Sequence, residues 1–172
     1  MSIKNVEFKA KTANIAALET KLMQLNPIFI GTDNQIDTYY HVLEGRLKLR
    51  EGNIENALIW YKRDDYAGAK QANIILYKHT ADVALKNILE QIHGIKIVVV
   101  KKRKIFFIDN VKFHFDEIEG LGSFIEVEAI DTDGNIDTKT LSEQCQFYAH
   151  FFEINEADYQ KASYSDMMIF NK

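Results

Sequence analysis

Cysteine and proline are almost missing: one of each, Cys145 and Pro27, occurs in 172 residues. A lone cysteine excludes a disulfide within the chain and fits a reducing compartment. One proline beside eleven Phe and eight Tyr implies many strands and few breaks. No apolar run is long enough to span a bilayer. Met1 to Lys11 alternates charge with apolar residues and carries no apolar segment of the kind a secretory signal needs. A cytoplasmic protein with no membrane partner is therefore expected. A net charge of −4 gives no electrostatic reason to expect nucleic acid as a partner. Low-complexity segments, repeats and Gly/Pro/Ser-rich linkers are lacking too, so one domain over residues 1–172 is expected, long enough to build a single core.

What is present is periodicity. Ala13 to Leu25, Ala81 to His93 and Thr138 to Phe152 carry helical spacing, with Thr12 and Thr80 as expected N-caps and Gly94 as a stop. Strands are expected at Ile3–Lys11, Ile36–Val42, Arg46–Arg50, Ala57–Arg63, Asn73–His79, Ile95–Ile108, Val111–Glu117 and Phe124–Ile130. Short joints at Glu44-Gly45, Gly52-Asn53 and Asp109-Asn110 make neighbouring strands antiparallel hairpins. Eight strands with about three helices give an α+β protein whose sheet is large enough to close into a barrel.

Alternation separates the two faces of a strand, and here one face is unusually charged. Glu7, Lys9 and Lys11 oppose Val6 and Phe8; Arg46, Lys48 and Arg50 oppose Leu47 and Leu49. Lys112, His114 and Asp116 oppose Phe113 and Phe115; Glu126 and Glu128 oppose Ile125 and Val127. Lys101 and Arg103 share a face, with Lys102 and Lys104 on the other. An ordinary half-buried sheet with its charges in water is the plain reading. Against it, acids sit on the first and last strands and bases between them, and three amphipathic helices can cover an apolar outside, leaving the charges inside. An enclosed surplus of cations needs water and a polyanion to offset it, and a chain of phosphates answers that need. Glu126 and Glu128, about 7 Å apart along one strand face, suit a hard cation such as Mg²⁺ or Mn²⁺.

The order of these blocks resembles a known family. Asn5-Val-Glu7-Phe-Lys9-Ala-Lys11 is similar to the opening Glu-x-Glu-x-Lys strand of the CYTH domain family, the triphosphate tunnel metalloenzymes. Gln35-Ile-Asp37-Thr-Tyr-Tyr40, Gly45-Arg-Leu-Lys-Leu-Arg-Glu51 and Leu58-Ile-Trp-Tyr-Lys-Arg-Asp64 continue the resemblance. Val100-Lys-Lys-Arg103, Phe115-Asp-Glu-Ile-Glu-Gly-Leu-Gly122 and Phe124-Ile-Glu-Val-Glu128 extend it across the chain. The tail Ser163-Tyr-Ser-Asp-Met167 resembles the branch of class IV adenylate cyclases and thiamine triphosphatases.

The resemblance implies a closed eight-stranded tunnel with Glu7, Glu126 and Glu128 holding divalent metal, helped by Asp116. It implies that Lys9, Arg50, Lys62 and Arg103 bind phosphates; Lys11, Lys48, Lys101 and Lys112 join them by face parity. Which of Lys62 and Arg63 faces inward is open, because a bulge exchanges them. The family's first acid is replaced by Asn5, which offers an amide oxygen but no charge and puts a two-metal site in doubt. The expected activity is hydrolysis of an inorganic or organic triphosphate. Cyclisation of ATP to cAMP and pyrophosphate is the alternative, and a non-catalytic polyphosphate or nucleotide sensor a second one. The oligomeric state, monomer or homodimer, stays open.

Other residues carry weaker signals. His114 is either a proton shuttle or phosphate ligand, or a hydrogen-bonded interior histidine; the remaining histidines show no metal-ligand spacing. Cys145 is expected in the core. Trp60 and Tyr61 either pack or stack on a base. Gly120-Leu-Gly122 is a turn, with no helix after it to cradle phosphate. Tyr164 and Asp166 are candidates for a lid.

Overall fold

The computed structural model describes residues 2–63 and 69–170. The strands are β1 (Ser2–Lys11), β2 (Ile28–Tyr40), β3 (Arg46–Glu51), β4 (Ala57–Arg63), β5 (Lys70–Lys78), β6 (Ile95–Ile108), β7 (Val111–Ile118) and β8 (Gly122–Asp131). They close into an antiparallel barrel in the order β1-β5-β4-β3-β2-β6-β7-β8. The helices are α1 (Ile15–Met23), α2 (Val83–His93), α3 (Thr138–Phe151) and α4 (Tyr164–Phe170). The α+β barrel is the one expected, with one helix more, α4. None of the described helices is long and apolar enough to cross a membrane.

Local chemistry sets the element ends. Asn14, not Thr12, caps α1 by accepting from the Ala17 amide at 3.0 Å, while the Thr12 hydroxyl accepts from Asn14 N–H. Asp82, not Thr80, caps α2 through the Ala84 amide at 2.8 Å, because it stands directly before the first helical residue, Val83, whereas Thr80 lies two residues further back. Gly94, with φ +69°, ends α2 and donates to Glu90 O. The strand β2 begins eight residues before the expected Ile36. Its bulge between Phe29 and Gly31 and the polar run Thr32 to Gln35 hide the alternation.

The largest apolar core lies outside the barrel. Val6, Phe8, Phe113, Phe115, Ile125 and Val127 point outward and pack against Leu22 of α1 and Leu141, Cys145 and Tyr148 of α3. Phe113 meets Tyr148 edge-to-face at 4.7 Å. Burying both the outside of these strands and the apolar helix faces turns their alternate positions, the charged ones, into the barrel. Fold and site are thus two consequences of one alternation.

Candidate functional site

Strand register stacks the inward side chains into tiers. Glu7, Glu128 and Lys112 form one row across β1, β8 and β7; Lys9, Glu126 and His114 form the next. Beyond them Asp116 of β7 faces Arg103 of β6. On the other side of the barrel, Arg50 lies opposite Asp37 and Lys48 opposite Tyr39. A cavity of about 390 Å³ runs through these tiers, lined by Glu7, Lys9, Lys48, Arg50, Lys101, Arg103, Lys112, Glu126 and Glu128. The half-buried sheet with solvated charges is thereby overturned: Lys9, Lys101, Arg103 and Glu126 are all buried.

The cations are held from behind. Asp37, fully buried, accepts two bonds from Arg50 (2.9 and 3.0 Å), one from Lys48 (2.9 Å) and one from Lys101 (2.6 Å). Burial opposes its ionisation, but Arg50, Lys101 and Lys48 outweigh burial and hold the carboxyl well below its ordinary range. Asp116 does the same for Arg103 through two bonds of 2.6 Å, and takes a third from the Tyr164 hydroxyl at 2.7 Å. Glu55 accepts from Arg50, Gln35 and Lys112. Burial opposes the charge of Glu55 as well, yet Lys112 and Arg50 keep it ionised far below the usual carboxylate range. Neither Asp37 nor Asp116 lines the cavity, whereas Glu55 does, so Asp37 and Asp116 offset the charge of Arg50, Lys48, Lys101 and Arg103 from behind while these cations line the open space.

This corrects the expected surplus of cations. Asp37 and Glu55, for which no role is expected from sequence, supply the missing charge. Asp37 shares the inward face of Asp33 and Gln35, a signal legible once β2 is extended. Glu55 has no such signal: it lies in the loop between β3 and β4, folded over the barrel end by Asp33, which accepts from Ile54 N–H and Glu55 N–H, both at 2.9 Å. Gly52 makes the fit possible, since a Cβ there would sit 2.6 Å from Asp33 Oδ1.

Several expected positions fall elsewhere. Lys62 points outward and pairs with Glu44 at 3.3 Å, because the register of β4 is unbroken and its inward positions are Ala57, Ile59 and Tyr61. Arg63 lies on the alternate backbone face, but its side chain is outside the described residues. Lys11 is exposed at the rim. Asp116 is bonded to Arg103 and Tyr164, and the Arg103 nitrogen that it holds also donates to Glu126 at 3.2 Å. Trp60 faces out and donates to Glu44 O, whereas Tyr61 is buried inside. Cys145 is core, as expected, and donates to Val6 O. The helix α4 packs against β6, with Tyr164 among Tyr39, Ile97, Val99 and Phe124. Its Tyr164 packs on Phe124 (5.1 Å) with the Lys9 ammonium over its ring at 3.9 Å, and its Asp166 accepts from Arg46 at 2.8 Å.

A carboxylate group faces the cavity. Ligand atoms of His114, Glu126 and Glu128 all lie within 4.8 Å of one another. Burial, with Glu126 alongside, raises the Glu128 carboxyl above its ordinary value, and burial with Arg103 and Lys112 nearby keeps His114 neutral by pushing its pKa well down. Asn5 Oδ1 is buried without a hydrogen-bond partner. These donors fit a divalent cation: two carboxylates that disfavour each other, a neutral imidazole and an amide oxygen are the groups such an ion satisfies.

The opposite wall is different. Ala57, Ile59, Ala72, Ile74 and Leu76 from β4 and β5 line the same cavity with apolar groups. One face of the space therefore suits a polyanion and the other an organic group.

A closed antiparallel barrel with buried cations on one inner wall and carboxylates among them encloses a charged space that a small anion would fit. The CYTH domain model matches residues 4–160, and the chain belongs to the CYTH domain family. Curated proteins return no match. Solved structures share the fold. A conserved hypothetical protein from Pyrococcus furiosus aligns at TM-score 0.81 and 19% identity, over 94% of this chain and 98% of its own. A candidate adenylate cyclase from Vibrio parahaemolyticus aligns at 0.78 and 22%, over 96% and 97%. A candidate adenylyl cyclase from Hippeastrum, described as having a dominant triphosphatase activity, aligns at 0.62 and 12%, over 99% and 95%.

Proposed function

We propose that the protein is a divalent-metal-dependent phosphohydrolase acting on an organic triphosphate. One observation carries this reading: cations line the cavity while the acids that fix them, Asp37 and Asp116, stand behind. Such a surface is preorganised for phosphate oxygens and needs no rearrangement to receive them. Arg50 and Arg103, each clamped by a carboxylate through two bonds, keep further N–H donors for the phosphate chain. Lys9, Lys48 and Lys112 add point charges along it, and Lys101, whose pKa burial and Arg50 push well down, adds a further donor. A bound Mg²⁺ or Mn²⁺, held by Glu7, Glu126 and Glu128, would neutralise charge on the phosphates during transfer. Water adds to the terminal phosphorus as the bridging P–O bond breaks, releasing inorganic phosphate and the diphosphate. Lys and Arg donors stabilise the charge left on the leaving oxygen.

The apolar wall favours an organic substrate over inorganic triphosphate, which has nothing to place against Ile59, Ile74 and Leu76. Hydrolysis is favoured over cyclisation because it needs only that the phosphate chain be held, whereas cyclisation also needs the ribose folded back onto the α-phosphate. The Hippeastrum relative, named for cyclisation and described as mainly a triphosphatase, accords with that preference. The test is a product assay with Mg²⁺ or Mn²⁺ and, in parallel, inorganic triphosphate, thiamine triphosphate and ATP. Phosphate from an organic triphosphate without cAMP supports the reading. Cyclic AMP with pyrophosphate makes the protein a cyclase, and silence on all three makes it a binding module.

A further inference from the structure

His114 is 1% exposed, and neither ring nitrogen has a hydrogen-bond partner. That is anomalous for an interior histidine, since each buried polar group left unpaired costs about 1–3 kcal/mol. The ring is held there by register: it lies directly across from Glu126 on β8, with Glu128 two residues along the same inward face. Glu128 Oε1 is 3.5 Å from His114 Nδ1. We propose that His114 is a metal ligand, so that imidazole nitrogen and the carboxylates of Glu126 and Glu128 form a site preferring a first-row transition-metal dication to Mg²⁺.

The inference rests on the metal-dependent reading above and narrows it. Three observations lead to it. The candidate donor atoms already stand within 4.8 Å of one another. Donors of one ion at about 2.1 Å lie at most roughly 4 Å apart, so closing the set takes an adjustment of about half an ångström. The second observation is the orphaned ring, whose lone pair no protein group uses. The third is Asn5, where an uncharged amide with an unpartnered oxygen stands on the inward face two residues before Glu7. A site with one carboxylate fewer and one imidazole more is less anionic and softer. Mg²⁺ holds water and oxygen ligands and gains little from nitrogen, whereas affinity for transition-metal dications rises with such donors.

Pulsed electron paramagnetic resonance of the Mn²⁺-loaded, full-length protein tests this directly, alongside Mn²⁺ and Mg²⁺ titrations. The wild type is expected to show ¹⁴N coupling from a directly bound imidazole. In His114→Gln that coupling disappears, and Mn²⁺ affinity falls at least about tenfold while Mg²⁺ affinity stays within about threefold. Mn²⁺ bound in a Glu126-dependent manner without ¹⁴N coupling overturns the histidine ligand and leaves the phosphohydrolase reading intact. Equal losses for Mn²⁺ and Mg²⁺ overturn the selectivity and show a packing role. A wild type that binds no Mn²⁺ overturns both readings. If His114→Gln does not fold, the wild-type spectrum still decides.

Discussion

The Tyr164 hydroxyl donates to the buried carboxylate of Asp116 at 2.7 Å, tying the last helix to the strand that aims Arg103. Removing that hydroxyl leaves Asp116 with both Arg103 bonds, so Tyr164→Phe should cost about 1 kcal/mol, a drop of about 2–4 °C in Tm. Tyr164→Ala also empties the contact with Phe124 and the Lys9 ammonium, and should cost about 3–5 kcal/mol. Thermal melts of the two variants check this; equal losses would mean that α4 contributes only its hydrogen bond.

Asp37 holds Arg50, Lys48 and Lys101 together. Asp37→Asn leaves the buried Arg50 and Lys101 and the half-buried Lys48 short of a counter-charge and should destabilise by about 3–5 kcal/mol. Added inorganic triphosphate should raise the variant's Tm more than the wild type's, because the ligand replaces the lost charge. The pH dependence has a definite sign. Asp37 has a depressed carboxyl in the folded state, so its contribution is fully present above its ordinary value of 3.8 and is lost as pH falls toward the folded value. The stability gap between wild type and variant should therefore be constant above about pH 4 and narrow below it. A gap that widens in acid would contradict this.

The charged inner face was legible because alternation is a local property: Glu7, Lys9, Arg50, Lys101, Arg103, Glu126 and Glu128 all reach the cavity from positions fixed by their strands. What escaped was tertiary. Glu55 arrives through a loop that Asp33 folds over the barrel end, and no spacing in residues 52–56 announces it. Lys62 was drawn in by a motif in which two adjacent cations, Lys62 and Arg63, compete for one face, and the unbroken register of β4 decided against it. The apolar wall of β4 and β5 has no signal of its own, since hydrophobic residues inside and outside a barrel look alike in sequence. Asp116, expected among the metal ligands, shares their face but is captured by Arg103, a pairing set by β6–β7 register.

That correction has a kinetic counterpart. Arg50→Ala should lower turnover of a triphosphate substrate by about 10²–10³, the usual loss of one preorganised donor. Lys62→Ala, which removes a side chain 62% exposed beside Glu44, should leave stability within about 0.5 kcal/mol and turnover within about twofold. Comparable losses in both variants would return Lys62 to the tunnel.

Burial pushes the Cys145 thiol up to about 12. Its reaction with a thiol-specific disulfide reagent at pH 8 should be negligible in the folded protein and reach one thiol per chain after unfolding. Because the folded value is the higher one, the unfolded chain gains by ionising first, and this contribution to stability is lost as pH rises from about 9 toward 12. Rapid native labelling at pH 8 would contradict the packed position against Val6.

The most direct measurement is phosphate release from an organic triphosphate by wild type and Glu126→Gln, each with Mn²⁺ and with a chelator, after matched melting curves show both folded. The account predicts metal-dependent release by the wild type and a loss of at least about 10²-fold in the variant. Release that survives both the chelator and the substitution would contradict a metal-dependent site in this barrel.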